Sequence, residues 1–236
     1  FITWSNKSMG PEIAMSLAKQ INVIRASTAA DRELAVQVLQ STYVNEKHWI
    51  QDEEKFFPPS DLEAKDISWF VASNATQPIG VLRVMYNPPL ELYKEYGMQA
   101  LESGLDVEAF VKNNRIAEIG RFAVVPEFRK FIVVAAALMR EASRETVANN
   151  FTHYVTDIFE GEVHSPYDFH TRVMGFQPVA THDVGELNCP NRRITMVLDL
   201  KSAYQRIQTK QKWIYRYLTK DWDESLHEKL RNGSPS

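Results

Sequence analysis

The spacing of apolar and polar positions marks most elements of this chain. From Ile116 to Val125 the sequence IAEIGRFAVV is β-branched and apolar, with a Glu and an Arg set into it. This predicts a strand, and Pro126, which cannot donate to a ladder, closes it. From about Lys130 to Asn150 follows a stretch rich in Ala, Leu, Met, Arg and Glu without Gly or Pro, which predicts a long helix. The remaining elements are arranged around this strand–turn–helix unit.

Upstream, Pro11–Gln20 predicts a short amphipathic helix, and Ile21–Ala26 alternates as a strand. Thr28 followed by Asp31 gives a capping-box start to a helix running to about Tyr43. Asn45–Asp66 lacks periodicity and predicts a cleft-lining loop. Ile67–Ser73 and Ile79–Tyr86 read as antiparallel partners across the turn Asn74–Pro78. Beyond Pro88–Pro89, short helices are expected at Leu90–Tyr96 and Asp106–Lys112, the second capped by Asp106. Downstream come a strand at His153–Ile158, a short helix Pro166–Met174 ended by Gly175, strands at Phe176–Ala180 and Arg193–Leu200, and one helix Ser202–Leu218. The tail RNGSPS is expected to fray. No repeat or linker interrupts this order, and several strands are hairpin-connected, so the fold class is α/β (α+β), with a mixed sheet flanked by helices.

Composition narrows the function. The chain is 44% hydrophobic and 24% charged, as in ordinary globular proteins, and its net charge of −3 argues against a general nucleic-acid binder. No apolar run approaches the ~18 residues of a membrane span. The first residues, FITWSNKSMG, lack the charged start and apolar run of a signal peptide, and Phe1 in place of Met suggests an incomplete or processed terminus. The expected localisation is cytoplasmic. Cys189 is the lone cysteine and cannot form an internal disulfide; in ELNCPNRR it reads as an incidental thiol. His153, His164 and His170, with Glu160 and Glu162 nearby, invite a metal, but no HExxH or Cys/His zinc spacing accompanies them, so none is expected. Glycine-rich nucleotide motifs are also absent. At the start of the long helix, Arg129 and Lys130 form a basic turn, where exposed N–H groups and the helix dipole favour an anion such as phosphate.

The order of elements, with GVLRV before the central strand, PEFRK after it and a later helix ending in MGF, resembles the GNAT superfamily of N-acyltransferases over roughly Ile21 to Leu200. Glu118-Ile-Gly-Arg-Phe-Ala-Val124 is similar to the E-x-(S/T)-R-F-x-V motif of acyl-homoserine-lactone synthases and the related N-acyl amino acid synthases. Gly120 stands where those synthases carry Ser or Thr. The glycine-rich pyrophosphate loop of acetyl-CoA-dependent members has no counterpart in Arg129–Ala135. A glycine-poor turn is easier to reconcile with the single phosphodiester of carrier-protein phosphopantetheine. The tyrosine acid of many members aligns with Thr171, and the Phe before it with His170.

The resemblance implies a GNAT-like, mostly antiparallel sheet over residues 1–200, with residues 201–236 a basic helical extension packed on the same domain. It implies an acyl donor carried as a phosphopantetheine thioester on acyl carrier protein, or as acyl-CoA, with no permanently bound cofactor, and a small amino-acid acceptor. Glu118 is the candidate base for the acceptor's ammonium, directly or through water; the plain alternative is an ion pair with Arg121 or Arg115. Arg121 lies three residues on, so a regular strand points the two to opposite faces unless a bulge, which Gly120 would permit, intervenes. Arg121 or Arg83 would hold the acceptor carboxylate. The pantetheine arm would pair along Phe122, Ala123 and Val124, its phosphate meeting Arg129 and Lys130. Trp69, Leu138, Met139 and Phe151 would line the acyl chain, and Thr171 would face substrate. Lys201, Arg206, Lys210, Lys212, Arg216 and Lys220, with no acid among them, would offer acidic carrier protein a docking face. Alternatives are an autoinducer synthase using S-adenosylmethionine, an acyl-CoA acetyltransferase, and a non-catalytic module that binds acyl carrier protein or lipid.

Overall fold

A computed structural model describes residues 20–52, 55, 57–89, 95–101, 106–130 and 132–232. Eight strands are described: β1 (Asn22–Arg25), β2 (Ile67–Ser73), β3 (Pro78–Tyr86), β4 (Gln99–Ala100), β5 (Ile116–Val124), β6 (His153–Phe159), β7 (Gln177–His182) and β8 (Arg193–Asp199). They form one mixed sheet in the order β1-β2-β3-β5-β6-β8-β7-β4. Among the registered pairs, β5–β6 is parallel, and β1–β2, β6–β8, β7–β8 and β4–β7 are antiparallel. A parallel pair needs a crossover, which α3 (Ile132–Ala148) supplies. The chain divides into two compact units, Phe1–Val84 with Arg121–Ala142, and Met85–Gly120 with Ser143–Ser236.

In the first unit, β1 lies against β2 in register from Asn22–Ser73 to Arg25–Phe70. Helix α1 (Ala29–Leu39) starts on the expected capping box: Thr28 accepts from the Asp31 amide, and Asp31 accepts from the Thr28 amide. It runs into a π-turn, Gln40–Val44, that buries Thr42 and Tyr43. The core contains Leu39, Val71, Val81, Leu82, Val134 and Leu138, all under 2% exposed. Gly80 lets α3 approach β3: a Cβ there would stand 3.1 Å from Leu138 and Val134 side-chain carbons. β5 ends at Val124, and the Val125 amide donates to Ile79 O at 3.0 Å before Pro126 turns the chain.

In the second unit, β6 carries Tyr154, Val155 and Ile158 into the interior. Helix α2 (Val107–Asn113) begins where expected, with the Asp106 side chain accepting from the Ala109 amide. The expected helix Ser202–Leu218 is two, α4 (Leu200–Lys210) and α5 (Lys212–Leu218). Gln211 breaks it at φ −136°, ψ 62°, and its side-chain amide donates to Arg172 O. A further helix, α6 (Glu224–Asn232), was not expected; Asp223 caps it through the Leu226 amide, and Lys229 Nζ donates to Ala148 O at the end of α3. The segment before Gly175 is a π-turn, Phe169–Met174, and Gly175 ends it at φ +94°. The short strand β4 was not expected. The readings at Pro11–Gln20 and RNGSPS fall largely outside the described residues, as does most of Leu90–Tyr96. Among the described residues no helix is long and apolar enough to cross a membrane.

Candidate active site

The second half of β5 is irregular. Arg121 occupies the left-handed region at φ +49°, whereas Gly120, where the sequence allowed a bulge, does not adopt a positive φ. A non-glycine residue in this region is held there by its surroundings. One neighbour is Tyr43, from the π-turn after α1, whose hydroxyl donates to Phe122 O at 3.4 Å. Burial pushes the Tyr43 phenol up, while Arg121, Arg83 and Arg129 all draw it down. Three guanidinium groups, from β3, β5 and the turn, therefore act electrostatically on one buried hydroxyl. Sequence reasoning grouped Arg83 with Arg121 and missed Tyr43, which it placed only at the approximate end of a helix.

Arg129 has a defined structural task. Its Nε donates to Val124 O at 2.8 Å and its Nη1 to Glu46 Oε1 at 2.6 Å, while Nη2 meets the other Glu46 oxygen. This two-pronged pair ties the turn after β5 to the loop after the π-turn. Lys130 beside it is exposed, Ala123 is buried, and Phe122 and Val124 are half-buried.

The residues assigned to acyl lining are packed in the interior. Trp69 stacks on Phe57 at 4.1 Å and donates to Asp61 at 2.9 Å. Leu138 and Met139 are 0% exposed, and the Phe151 ring packs against Tyr86 at 4.6 Å, tilted by 41°. A cavity of about 40 Å³ in the first unit, lined by residues that include Ile79, Phe128 and Val134, touches none of the four. Thr171 donates to Tyr167 O within its own turn. His170, at the Phe position of the tyrosine-acid segment, is neutral: burial lowers its pKa to about 4, and Nδ1–H donates to Pro166 O. A neutral imidazole with its proton at Nδ1 offers none at Nε2.

In the second unit, Glu118 is half-buried on β5 and registered with Val155 on β6. Residues paired in register share a face and every second residue returns to it, so Glu118 and Asp157 lie on the same face of adjacent strands. The parallel pairing ends at Ile119–Thr156, where Thr156 Oγ1 donates to Ile119 O; β5 continues to Val124. Asp157 accepts from Thr195 Oγ1 at 2.7 Å and from His182 Nε2 at 2.9 Å. The other ring nitrogen, Nδ1, donates to Val184 O at 2.7 Å. Burial pulls the His182 pKa down, but Asp157 and the Val184 carbonyl outweigh it, and the net direction is up. Tyr96 stacks on the His182 ring at 5.6 Å and 9°. Burial raises the Tyr96 phenol, and Glu186, Glu118, Asp157 and Glu95 raise it further, in that order. Asp157, His182, Thr195 and Tyr96 were all missed. The sequence signal was an acid, Asp157, inside the strand-forming run HYVTDIF.

Among the described residues, no group of three or more His, Cys, Asp or Glu side chains is placed to hold a metal ion. Arg206, counted with the basic docking face, turns inward: Nη2 donates to Val173 O at 2.6 Å. Lys210, Lys212, Arg216 and Lys220 are exposed, with Trp213 between them.

No family model matches the chain, and no curated protein matches it significantly in sequence. Solved structures do. FeeM, an N-acyl amino acid synthase from uncultured soil microbes, is similar over 78% of this chain and 93% of its own, with TM-score 0.59 and 16% identity. Arabidopsis thaliana NAA60 in complex with acetyl-CoA is similar over 76% and 98%, with TM-score 0.54 and 15% identity. A GNAT-family protein from Desulfovibrio desulfuricans, described as an acetyltransferase, is similar over 76% and 98%, with TM-score 0.53 and 13% identity. The chain has the GNAT fold.

Proposed function

We propose that this protein is an N-acyltransferase that moves a long acyl group from a phosphopantetheine thioester, borne by acyl carrier protein, to the amine of an amino acid. The observation that carries the reading is the central strand: β5 bears a carboxylate at Glu118, then a left-handed arginine at Arg121, on a GNAT fold whose solved relatives include an N-acyl amino acid synthase. The fold by itself supports acyl transfer in general.

In this reading Glu118 takes a proton from the acceptor's ammonium, directly or through a water. The freed nitrogen lone pair attacks the thioester carbonyl; the C–N bond forms, the C–S bond breaks, and the sulfur leaves as the pantetheine thiolate, which takes up the surplus proton of the acylated nitrogen to give the amide and the free thiol. Arg83 and Arg121, which share the surroundings of Tyr43, hold the acceptor carboxylate. The arm lies along Phe122–Val124. Because Arg129 is tied to Glu46, the phosphate falls to Lys130 and to the amides that open α3.

Glu118→Gln tests the assignment. Turnover with acyl carrier protein and a mixed amino-acid pool should fall by at least a hundredfold, while the dissociation constant for the acyl donor stays within about twofold. Equal loss of donor affinity and turnover would assign Glu118 to structure instead. Parallel assays with acyl-CoA decide the carrier: faster turnover with acyl-CoA would contradict the carrier-protein donor.

A further inference from the structure

The Asp157–His182 pair has a feature that the acyl-transfer steps above do not use. Both ring nitrogens of His182 face oxygen acceptors: Val184 O at Nδ1 and Asp157 Oδ2 at Nε2. A carbonyl oxygen can only accept, so Nδ1 carries a proton. An ionised Asp157 needs a second proton at Nε2, which makes the ring an imidazolium. The His182 side chain is 0% exposed, so its charge is balanced by the protein rather than by water. The charged and titratable groups around it include, among the described residues, Asp157 on β6, Arg193 on β8, and Tyr96 stacked over the ring. Arg193 is itself anchored, donating to Asp183 O and Leu187 O, which shapes the loop that presents Val184. Glu186, Glu118 and Glu95 bear on Tyr96.

Asp157 and Glu118 share a face on neighbouring strands, roughly 7–8 Å apart by sheet geometry. An uncompensated carboxylate at that distance would make Glu118 harder to ionise. A carboxylate paired to an imidazolium leaves a nearly neutral neighbour.

We infer that His182 is a positioning residue for the Glu118 site: through Asp157 it cancels a negative charge beside the base and so sets the pH above which Glu118 can accept a proton. The functional meaning rests on Glu118 being the base of the proposed reaction; the electrostatic coupling does not.

The test is a side-chain ¹³C titration of the Glu118 carboxyl in the full chain, its signal assigned by its loss in Glu118→Gln. The variants are wild type, His182→Gln and the double variant His182→Gln/Asp157→Asn. His182→Gln should raise the Glu118 midpoint by about one pH unit, and the double variant should return it to within about 0.3 unit of wild type. The acidic limb of kcat/KM for acyl transfer should follow the same two movements. Coincident midpoints in wild type and His182→Gln would overturn the inference. So would a His182→Gln loss of rate that leaves the pH profile unshifted in a protein with native circular dichroism. Absence of acyl transfer in wild type would defeat the proposed function, while the titration would still decide the coupling.

Discussion

Arg129 and Glu46 meet as a two-pronged ion pair, and Arg129 also donates through Nε to Val124 O, the last residue of the central strand. The basic turn that the sequence offers to a phosphate is thus partly spent on holding its own backbone. Both side chains are less than a third exposed, so the pair is shielded from solvent and salt.

Glu46→Ala and Arg129→Ala should each lower stability by about 2 kcal/mol, and the double variant should cost clearly less than the sum. Urea denaturation of the three variants checks this. Lys130→Ala should leave stability within about 0.5 kcal/mol and act on donor affinity instead.

Gly175 is needed for two reasons. Its φ is +94°, and a Cβ there would lie 2.7 Å from Nε of Arg206, which is held in place by Val173 O. Gly175→Ala should destabilise by more than about 1 kcal/mol. Adding Arg206→Ala should relieve the contact but not the backbone strain, so thermal melts of the double variant should show sub-additive loss.

Two buried histidines titrate in opposite senses. His170 is held near 4 by burial, below the ordinary 6.5, so the unfolded chain takes its proton first and stability is lost as pH falls from about 6.5 toward 4. His182 is raised, so its contribution is fully present below about 6.5 and is lost as pH rises through its higher folded value. In urea melts between pH 7 and pH 5, the His170 term should cost on the order of 2 kcal/mol, and His170→Leu should flatten that loss. His182→Gln should remove the alkaline-side loss.

The acceptor site should separate from the donor site kinetically. Arg83→Gln or Arg121→Gln should raise the KM for an amino-acid acceptor by roughly ten- to a hundredfold, as expected for one charged contact to a carboxylate. The donor KM should hold within about threefold. An amine without a carboxylate should be indifferent to either change.

Local signals carried most of the fold. The capping box at Thr28, the cap at Asp106, the closure of β5 at Pro126 and the long helix after it all depend on neighbours a few residues apart. What escaped the sequence depends on distant partners. The break at Gln211 is accompanied by a bond to Arg172 O, and the pairing of β4 with β7 joins residues far apart in the chain. The same division holds at the site. Glu118 and Arg121 stand in one motif on one strand. Asp157, His182 and Thr195 come from three strands whose pairing no local pattern announces, and the side-chain engagement of Arg129 and Arg206 became visible only in three dimensions.

Product analysis by mass spectrometry tests the central claim most directly. Wild-type protein incubated with a long-chain acyl carrier protein and a mixed amino-acid pool should yield an N-acyl amino acid, its mass equal to the fatty acid plus one amino acid less water, and the Glu118→Gln protein should yield almost none. A wild-type reaction that leaves the thioester intact, or an identical product from both proteins, would contradict the account.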